Sequence, residues 1–181
     1  YRKGFKLVEI LLDRDPESWS EHSSNLYTLS FVDKTAAYVQ TIRFGFRSVE
    51  ARGQAIWVNG KKWFMRGKLD CCHFPLTGHP DMSESWWRET LRRLKEEDGV
   101  NTVRFHSWVP PKAAFDAADE LGMLIAVEVG IWVDGWHRTQ KNCDFIGYGR
   151  KIDDFVKREL RAVLEEYGNS PSFISLGIGN E

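Results

Sequence analysis

The sequence has 181 residues, of which 42% are hydrophobic and 28% are charged, and its formal net charge is −1. This length suffices for one domain, or for one domain and part of another. The near-neutral charge and the dispersed Lys and Arg residues argue against a nucleic-acid-binding protein. No apolar run reaches the roughly 18 residues that a membrane-spanning helix needs. The sequence starts at Tyr1 with neither a basic nor an apolar leader, so we expect no targeting signal.

Residues 1 to about 50 are typical of antiparallel strands. Residues 25–33 alternate between apolar and polar side chains, and residues 37–51 are rich in β-branched and aromatic residues. We interpret these runs as the end of a β-sandwich. Next comes Asn59-Gly60 between two apolar runs, which is the strongest short-range signal of a β-hairpin.

From residue 63 the pattern changes to alternating strands and helices, which predicts a parallel sheet. A helix near Ser85 is indicated by apolar residues at i, i+4 and i+7. The other predicted elements are a short strand over 63–66, a strand over 100–105, a helix opened by Pro110 and Pro111, a strand over 123–129, a helix over about 152–167 and a strand over 173–179. The pattern alone does not decide between an open, doubly wound sheet and half of a (β/α)8 barrel. The sequence has neither a GxGxxG motif nor a phosphate-binding loop, which disfavours a nucleotide-binding sheet.

Ionisable and aromatic residues follow the predicted carboxyl ends of all the parallel strands. In a barrel these ends form the active site, so we expect a functional site there. The candidates in chain order are Asp70, Cys71, Cys72 and His73, then Arg104, His106 and Trp108, then Glu128, Trp132, Asp134, Trp136 and His137, and finally Asn180 and Glu181.

Most of these residues also have a structural explanation. Arg104 could form an ion pair with Glu128, because buried charges are often simply paired. A lone histidine or tryptophan is frequently a satisfied core residue. Cys71, Cys72, His73 and His79 are a conceivable metal site, but adjacent cysteines lack the usual CxxC spacing. The grouping at one edge therefore favours a site more than any single residue does.

Five stretches resemble glycoside hydrolases of family 2, which contains β-galactosidases, β-glucuronidases and β-mannosidases. FGFRSVE resembles the strand that leads from the family's immunoglobulin-like domain into its barrel, and VNGKKWFMRG resembles the hairpin that follows. RGKLDCCHFPLTG is similar to the family pattern RGxNRHEHxPxxG. The stretch over 99–128 resembles the family segment with an Arg, a nearby His and a strand that ends in Glu. NSPSFISLGIGNE resembles the segment that ends in the family's Asn-Glu pair.

The resemblance implies a fold and an activity. Residues 1–52 would be the end of an immunoglobulin-like β-sandwich, and residues 53–181 would be the first half, strands 1–4, of a (β/α)8 TIM barrel. The activity implied is that of a retaining, exo-acting β-glycosidase of the β-galactosidase, β-glucuronidase or β-galacturonidase type, with Glu181 as general acid/base. The family's nucleophile is a Glu on a later strand, so we expect this stretch alone to be inactive.

The resemblance also implies a carbohydrate ligand and roles for the other candidate residues. Glu128 is a candidate either for supporting the groups that touch the substrate or, as in the family's β-galactosidases, for a magnesium ligand, and no other cofactor is implied. Self-association of the full-length protein and an exported location are compatible with the family. The implied contacts are Asn180 to the sugar 2-hydroxyl, Arg104 to the nucleophile, His73 and His106 to other hydroxyls, and Trp108 or Trp132 to the face of the ring.

Three departures from the family pattern bear on the choice of sugar. Residues 69–72 replace the polar N-R-H-E, one residue rather than two separates Arg104 from His106, and Leu176-Gly177 replaces a Trp-Ser pair. Galactose, glucuronic acid and galacturonic acid all remain open. An endo-acting relative on β-mannan or β-glucan, and a non-catalytic carbohydrate-binding module, are the alternatives.

Overall fold

The computed structural model describes residues 7–33, 35, 38–131 and 151–180. The elements of this part are the strands β1 (Tyr27–Asp33), β2 (Tyr38–Phe44), β3 (Val49–Arg52), β4 (Ala55–Val58), β5 (Lys61–Lys62) and β6 (Gly67–Asp70), helix α1 (Glu84–Glu96), strand β7 (Thr102–Phe105), helix α2 (Lys112–Leu121), strand β8 (Leu124–Glu128), helix α3 (Lys151–Tyr167) and strand β9 (Phe173–Gly177). Its helices all fall short of the length and apolar content needed to cross a bilayer. The predicted α/β class is confirmed.

The antiparallel strands lie before residue 63, as predicted. β1 pairs with β2, and β3, β4 and β5 form a separate sheet. The hairpin signal at Asn59-Gly60 is confirmed, since both residues have positive φ angles, 50° and 72°. A two-residue hairpin turn of the primed type needs such angles.

Strands β6, β7, β8 and β9 form a parallel sheet in chain order within the described residues. Leu69 pairs with Arg104, Arg104 with Ala126, and Ala126 with Ser175. Because the strands run in one direction, their carboxyl ends meet at one side of the sheet, which we call the carboxyl edge. The opposite side is the amino edge.

The first parallel strand lies later than the sequence predicted. It spans Gly67–Asp70 rather than residues 63–66. The amide of Trp63 donates to the carbonyl of Ile56 at 2.8 Å, which extends the preceding hairpin. The amide of Arg66 donates to Oδ1 of Asn101 at 2.9 Å, a side-chain contact rather than a ladder bond. An apolar run can thus prolong a hairpin as readily as it can form a strand.

The hydrophobic core lies between this sheet and its helices. The predicted apolar stripe of α1 is confirmed, since Trp87, Leu91 and Leu94 are all buried. In β7, Val103 and Phe105 are buried in this core while Arg104 is exposed. Because neighbouring side chains of a strand point to opposite faces, Arg104 lies on the face away from the helices.

The ring of Trp19 and the polar contacts of Glu21 cover the amino edge. Trp19 has no exposed surface and donates its indole N–H to the carbonyl of Asp119 at 2.7 Å. The buried Glu21 forms an ion pair with Arg66 and accepts a hydrogen bond from Asn101 at 3.0 Å. In (β/α)8 barrels, this end of the sheet usually contributes to stability rather than to the chemistry.

Asp119→Asn should reduce the dependence of stability on pH. Burial raises the pKa of Asp119, against the opposing effect of the hydrogen bond from the backbone amide of Ser172. A raised pKa in the folded state means that stability falls as pH rises through that pKa. The amide keeps an oxygen for the Ser172 N–H, which is 2.9 Å away. We expect the variant to equal the wild type at low pH and to gain relative stability towards neutral pH, as measured by urea unfolding. A variant that loses stability at neutral pH would contradict this prediction.

Candidate active site

Arg104, Glu128 and Asn180, which come from different strands, meet at the carboxyl edge. Arg104 is the third residue of β7, Glu128 ends β8, and Asn180 follows β9. The parallel sheet brings together residues that are separated by up to 76 positions. These three residues belong to the larger group that the sequence predicts at this edge.

The guanidinium of Arg104 forms an ion pair with the carboxylate of Glu128. Nε of Arg104 donates to Oε1 of Glu128 at 2.7 Å, and Nη2 contacts the same oxygen. The amide of Ser107 donates to Oε2 at 2.7 Å. Only 9% of the Glu128 side chain is exposed, compared with 48% for Arg104. A nearly buried carboxylate is thus balanced by a cation and a backbone donor, as burial of a charge requires.

The same guanidinium reaches the side chain of Asn180. Nη2 of Arg104 donates to Oδ1 of Asn180 at 3.1 Å, and the backbone N–H of Asn180 donates to the carbonyl of Ile131 at 3.1 Å. Because Oδ1 accepts from Arg104, the other end of the side-chain carboxamide, Nδ2, is left as a donor. A ligand that contacts this end must therefore offer an acceptor atom.

The two candidate histidines lie in the loops that follow β6 and β7, with His73 exposed and His106 half-buried. The backbone N–H of His106 donates to the carbonyl of Asp70 at 2.8 Å, which joins the loops after β6 and β7. No described residue forms a hydrogen bond with either imidazole ring. Their contacts to sugar hydroxyls remain a prediction.

Trp108 is held by other aromatic rings. Its ring meets Phe105 at 5.1 Å and Phe74 at 5.8 Å, both nearly perpendicular. Its indole N–H points to the carbonyl of Asp70 at 3.3 Å. These contacts attach the loop after β7 to the core, and the stacking of Trp108 on a sugar remains a prediction.

Some sequence candidates lie outside the described residues. These are Glu181, the predicted acid/base, and Trp132, together with Asp134, Trp136 and His137. Their predicted roles are unchanged.

Ser107 was missed by sequence reasoning. Its φ angle is 57°, an unusual value for a residue with a side chain. Its amide binds Glu128, and its buried Oγ has no hydrogen-bond partner among the described residues. The available signal was the family spacing R-x-x-H, which puts Ser107 where a histidine is usual.

The candidate metal ligands do not form a metal site. Within the described residues, no three His, Cys, Asp or Glu side chains are grouped so that they could hold an ion. Cys71, Cys72, His73 and His79, the conceivable set that the cysteine spacing disfavours, are therefore not grouped as a metal site in this part of the chain. Cys71 and Cys72 are exposed free thiols, and partial burial together with the nearby Asp70 raises the pKa of Cys72. A raised pKa disfavours the thiolate that metals bind.

Comparison with known proteins supports the resemblance seen in the sequence, although no protein-family model matches the chain. A provisionally named beta-glucuronidase of Formosa agariphila is 29% identical over 177 residues, and a beta-galactosidase of Vibrio vulnificus is 26% identical over 172 residues. Each alignment covers 93% of this chain but only 16% of the relative. A solved glycosyl hydrolase family 2 member from Bacteroides cellulosilyticus superposes with a TM-score of 0.74 at 25% identity, over 92% of this chain and 21% of that one.

Proposed function

Since the chain resembles glycoside hydrolases of family 2 over more than nine-tenths of its length, we propose that it is part of a retaining, exo-acting β-glycosidase. The relatives' names put a glucuronide or a galactoside first among the substrates, and a galacturonide is the third candidate. The chain spans about a sixth of these relatives, so the remaining catalytic groups belong to a longer protein. The proposed fold is the end of an immunoglobulin-like sandwich over 1–52 and strands 1–4 of a (β/α)8 barrel over 53–181.

The observation that supports the proposal best is the linked group at the carboxyl edge. Arg104 contacts both Glu128 and Asn180, and Asn180 immediately precedes the candidate acid/base Glu181. The parallel strands in chain order agree with half of a barrel, in which this edge is the catalytic one.

In the proposed mechanism two carboxyl groups about 5 to 5.5 Å apart act in two steps. Glu181 protonates the leaving oxygen while a glutamate from a later strand attacks the sugar. Glu181 then accepts a proton from the water that releases the sugar. Nδ2 of Asn180 donates to the 2-hydroxyl, an interaction that strengthens in the transition state. Arg104 keeps the nucleophile ionised, as an adjacent fixed cation does.

The test compares wild type with Glu181→Gln in a protein that includes the sequence after Glu181. The substrates are aryl β-glucuronides, β-galacturonides and β-galactosides with good and poor leaving groups. Loss of general acid catalysis should lower the rate by about 10²- to 10⁴-fold. We expect the loss to be largest with poor leaving groups. With good leaving groups, release of the sugar becomes limiting and azide should partly rescue the rate, because azide attacks the glycosyl-enzyme without a base. Glu165→Gln, on the exposed part of α3, is the control.

Three outcomes would contradict the proposal or part of it. Equal rates in wild type and Glu181→Gln would remove Glu181 from the mechanism. Hydrolysis of β-mannan or β-glucan chains without hydrolysis of aryl glycosides would indicate an endo-acting enzyme. Sugar binding without turnover of any glycoside would indicate a binding module.

A further inference from the structure

Both oxygens of the Glu128 carboxylate are already occupied by donors of this chain. Oε1 accepts from the Arg104 guanidinium, and Oε2 accepts from the Ser107 amide at 2.7 Å. Oε2 keeps one free lone pair, but only 9% of the Glu128 side chain is exposed, so little of the carboxylate is open to a substrate or water. Glu128 is therefore not placed to act on a ligand directly.

The same contacts make Glu128 a poor magnesium ligand. Mg²⁺ needs near-octahedral coordination by oxygen atoms, and a cation on Oε1 would lie directly beside a guanidinium. No other described His, Cys, Asp or Glu joins Glu128 in a group that could hold a metal. The role suggested by the family resemblance does not fit this geometry.

The surrounding backbone is shaped to hold the Glu128 side chain. Ser107 adopts a left-handed conformation, with φ of 57°, and in this conformation its N–H points to Oε2. Gly177 lies opposite Glu128 in β9, and a Cβ at Gly177 would come within 3.0 Å of Cγ of Glu128. The strained φ angle of Ser107 on one side of the carboxylate and the absence of a side chain at Gly177 on the other both accommodate Glu128.

We propose that Glu128 is a positioning residue that acts on the substrate through Arg104 and Asn180. The carboxylate fixes the guanidinium by two contacts, and the guanidinium then holds Oδ1 of Asn180 at 3.1 Å. The Asn180 amide cannot flip without losing this bond, so Nδ2 stays directed at the sugar. This inference rests on the proposed function, because it assumes that Asn180 contacts a sugar hydroxyl.

The test is selectivity for the 2-hydroxyl, measured in the full protein on the aryl glycoside that it cleaves and on the 2-deoxy analogue. Glu128→Gln should lower kcat/KM for the parent sugar by roughly 10- to 100-fold, mostly through kcat. It should lower kcat/KM for the 2-deoxy sugar by less than about 3-fold, because that substrate lacks the contact. Asn180→Ala should show the same selectivity, and combining the two substitutions should add little.

A second variant displaces the carboxylate without removing its charge. Gly177→Ala puts a methyl group against the Glu128 side chain, and we expect the same loss of 2-hydroxyl selectivity. Glu120→Gln is the matched control, because Glu120 is also a partly buried glutamate paired with arginines, Arg43 and Arg88, but lies on α2. Glu120→Gln should leave the ratio of kcat/KM for the parent sugar to kcat/KM for the 2-deoxy sugar unchanged.

Several results would overturn the inference. One is an equal loss on both substrates in Glu128→Gln and in Gly177→Ala, which would indicate a general structural role. Another is stimulation of the wild type by Mg²⁺ that disappears in Glu128→Gln, which would make Glu128 a metal ligand. If the wild type shows no glycosidase activity, the proposed function fails instead. If the wild type is active and both Glu128→Gln and Gly177→Ala keep its selectivity for the 2-hydroxyl, only the positioning role fails.

Discussion

Arg104→Met should lower kcat/KM of the proposed glycosidase by about 100- to 1,000-fold. Removing one preorganised group from an active site typically has an effect of this size, and Arg104 both holds Asn180 and keeps the nucleophile ionised in the proposed mechanism. The substitution keeps most of the aliphatic side chain but removes the donors to Glu128 and Asn180. Steady-state kinetics on the best aryl glycoside will measure the loss. An activity within 3-fold of the wild type would show that Arg104 is only a structural partner of Glu128.

Arg104→Lys is the matched control for the charge. A lysine retains the positive charge but cannot contact Glu128 and Asn180 with the separate nitrogens of a planar guanidinium. We expect an intermediate rate, at least 10-fold below the wild type. A rate equal to that of the wild type would show that charge, rather than the orientation of Asn180, is what the site needs.

Arg104→Met should also destabilise the fold, because it leaves the nearly buried Glu128 carboxylate without its cation. Breaking a buried pair on one side costs about 3 to 5 kcal/mol. Since 48% of the Arg104 side chain is exposed, solvent screens the pair and we expect less than this range. Combining Arg104→Met with Glu128→Gln removes the unpaired charge. The double variant should regain stability but not activity, which separates the two effects.

The grouping of Arg104, Glu128 and Asn180 could be predicted because it depends only on strand order and direction. A parallel sheet places the ends of its strands at one edge, and apolar periodicity was sufficient to locate β7, β8 and β9. The start of β6 was predicted wrongly, because apolar residues 63–65 resemble a strand although Trp63 bonds back to the hairpin.

Contacts that depend on turn geometry or on distant partners could not be predicted. Ser107 binds Glu128 through its backbone, so the amino-acid type carries little information about this contact. Trp19 donates to a carbonyl 100 residues away, and nothing in its own neighbourhood indicates that partner. The grouping of side chains at the carboxyl edge can therefore be predicted from the sequence, whereas the contacts made by Ser107 and Trp19 cannot.

Trp19→Ala should lower the free energy of unfolding by about 3 to 5 kcal/mol, the usual cost of truncating a buried large aromatic residue. The ring is fully buried, and its loss also leaves the Asp119 carbonyl without its indole donor. Trp19→Phe restores most of the apolar volume but not the donor, so we expect a cost of about 1 to 3 kcal/mol. Urea unfolding followed by circular dichroism will measure both values.

The site should tolerate Trp19→Phe. Trp19 lies at the amino edge, whereas Arg104 and Asn180 meet at the carboxyl edge, and the sheet separates the two regions. We therefore expect kcat/KM of this variant to stay within about 2-fold of the wild type under conditions where the protein is folded. In (β/α)8 barrels the end of the sheet that contributes to stability is separate from the end that carries the chemistry, and we expect the same of this sheet. A large loss of activity without a loss of stability would mean that the two edges are coupled through the sheet.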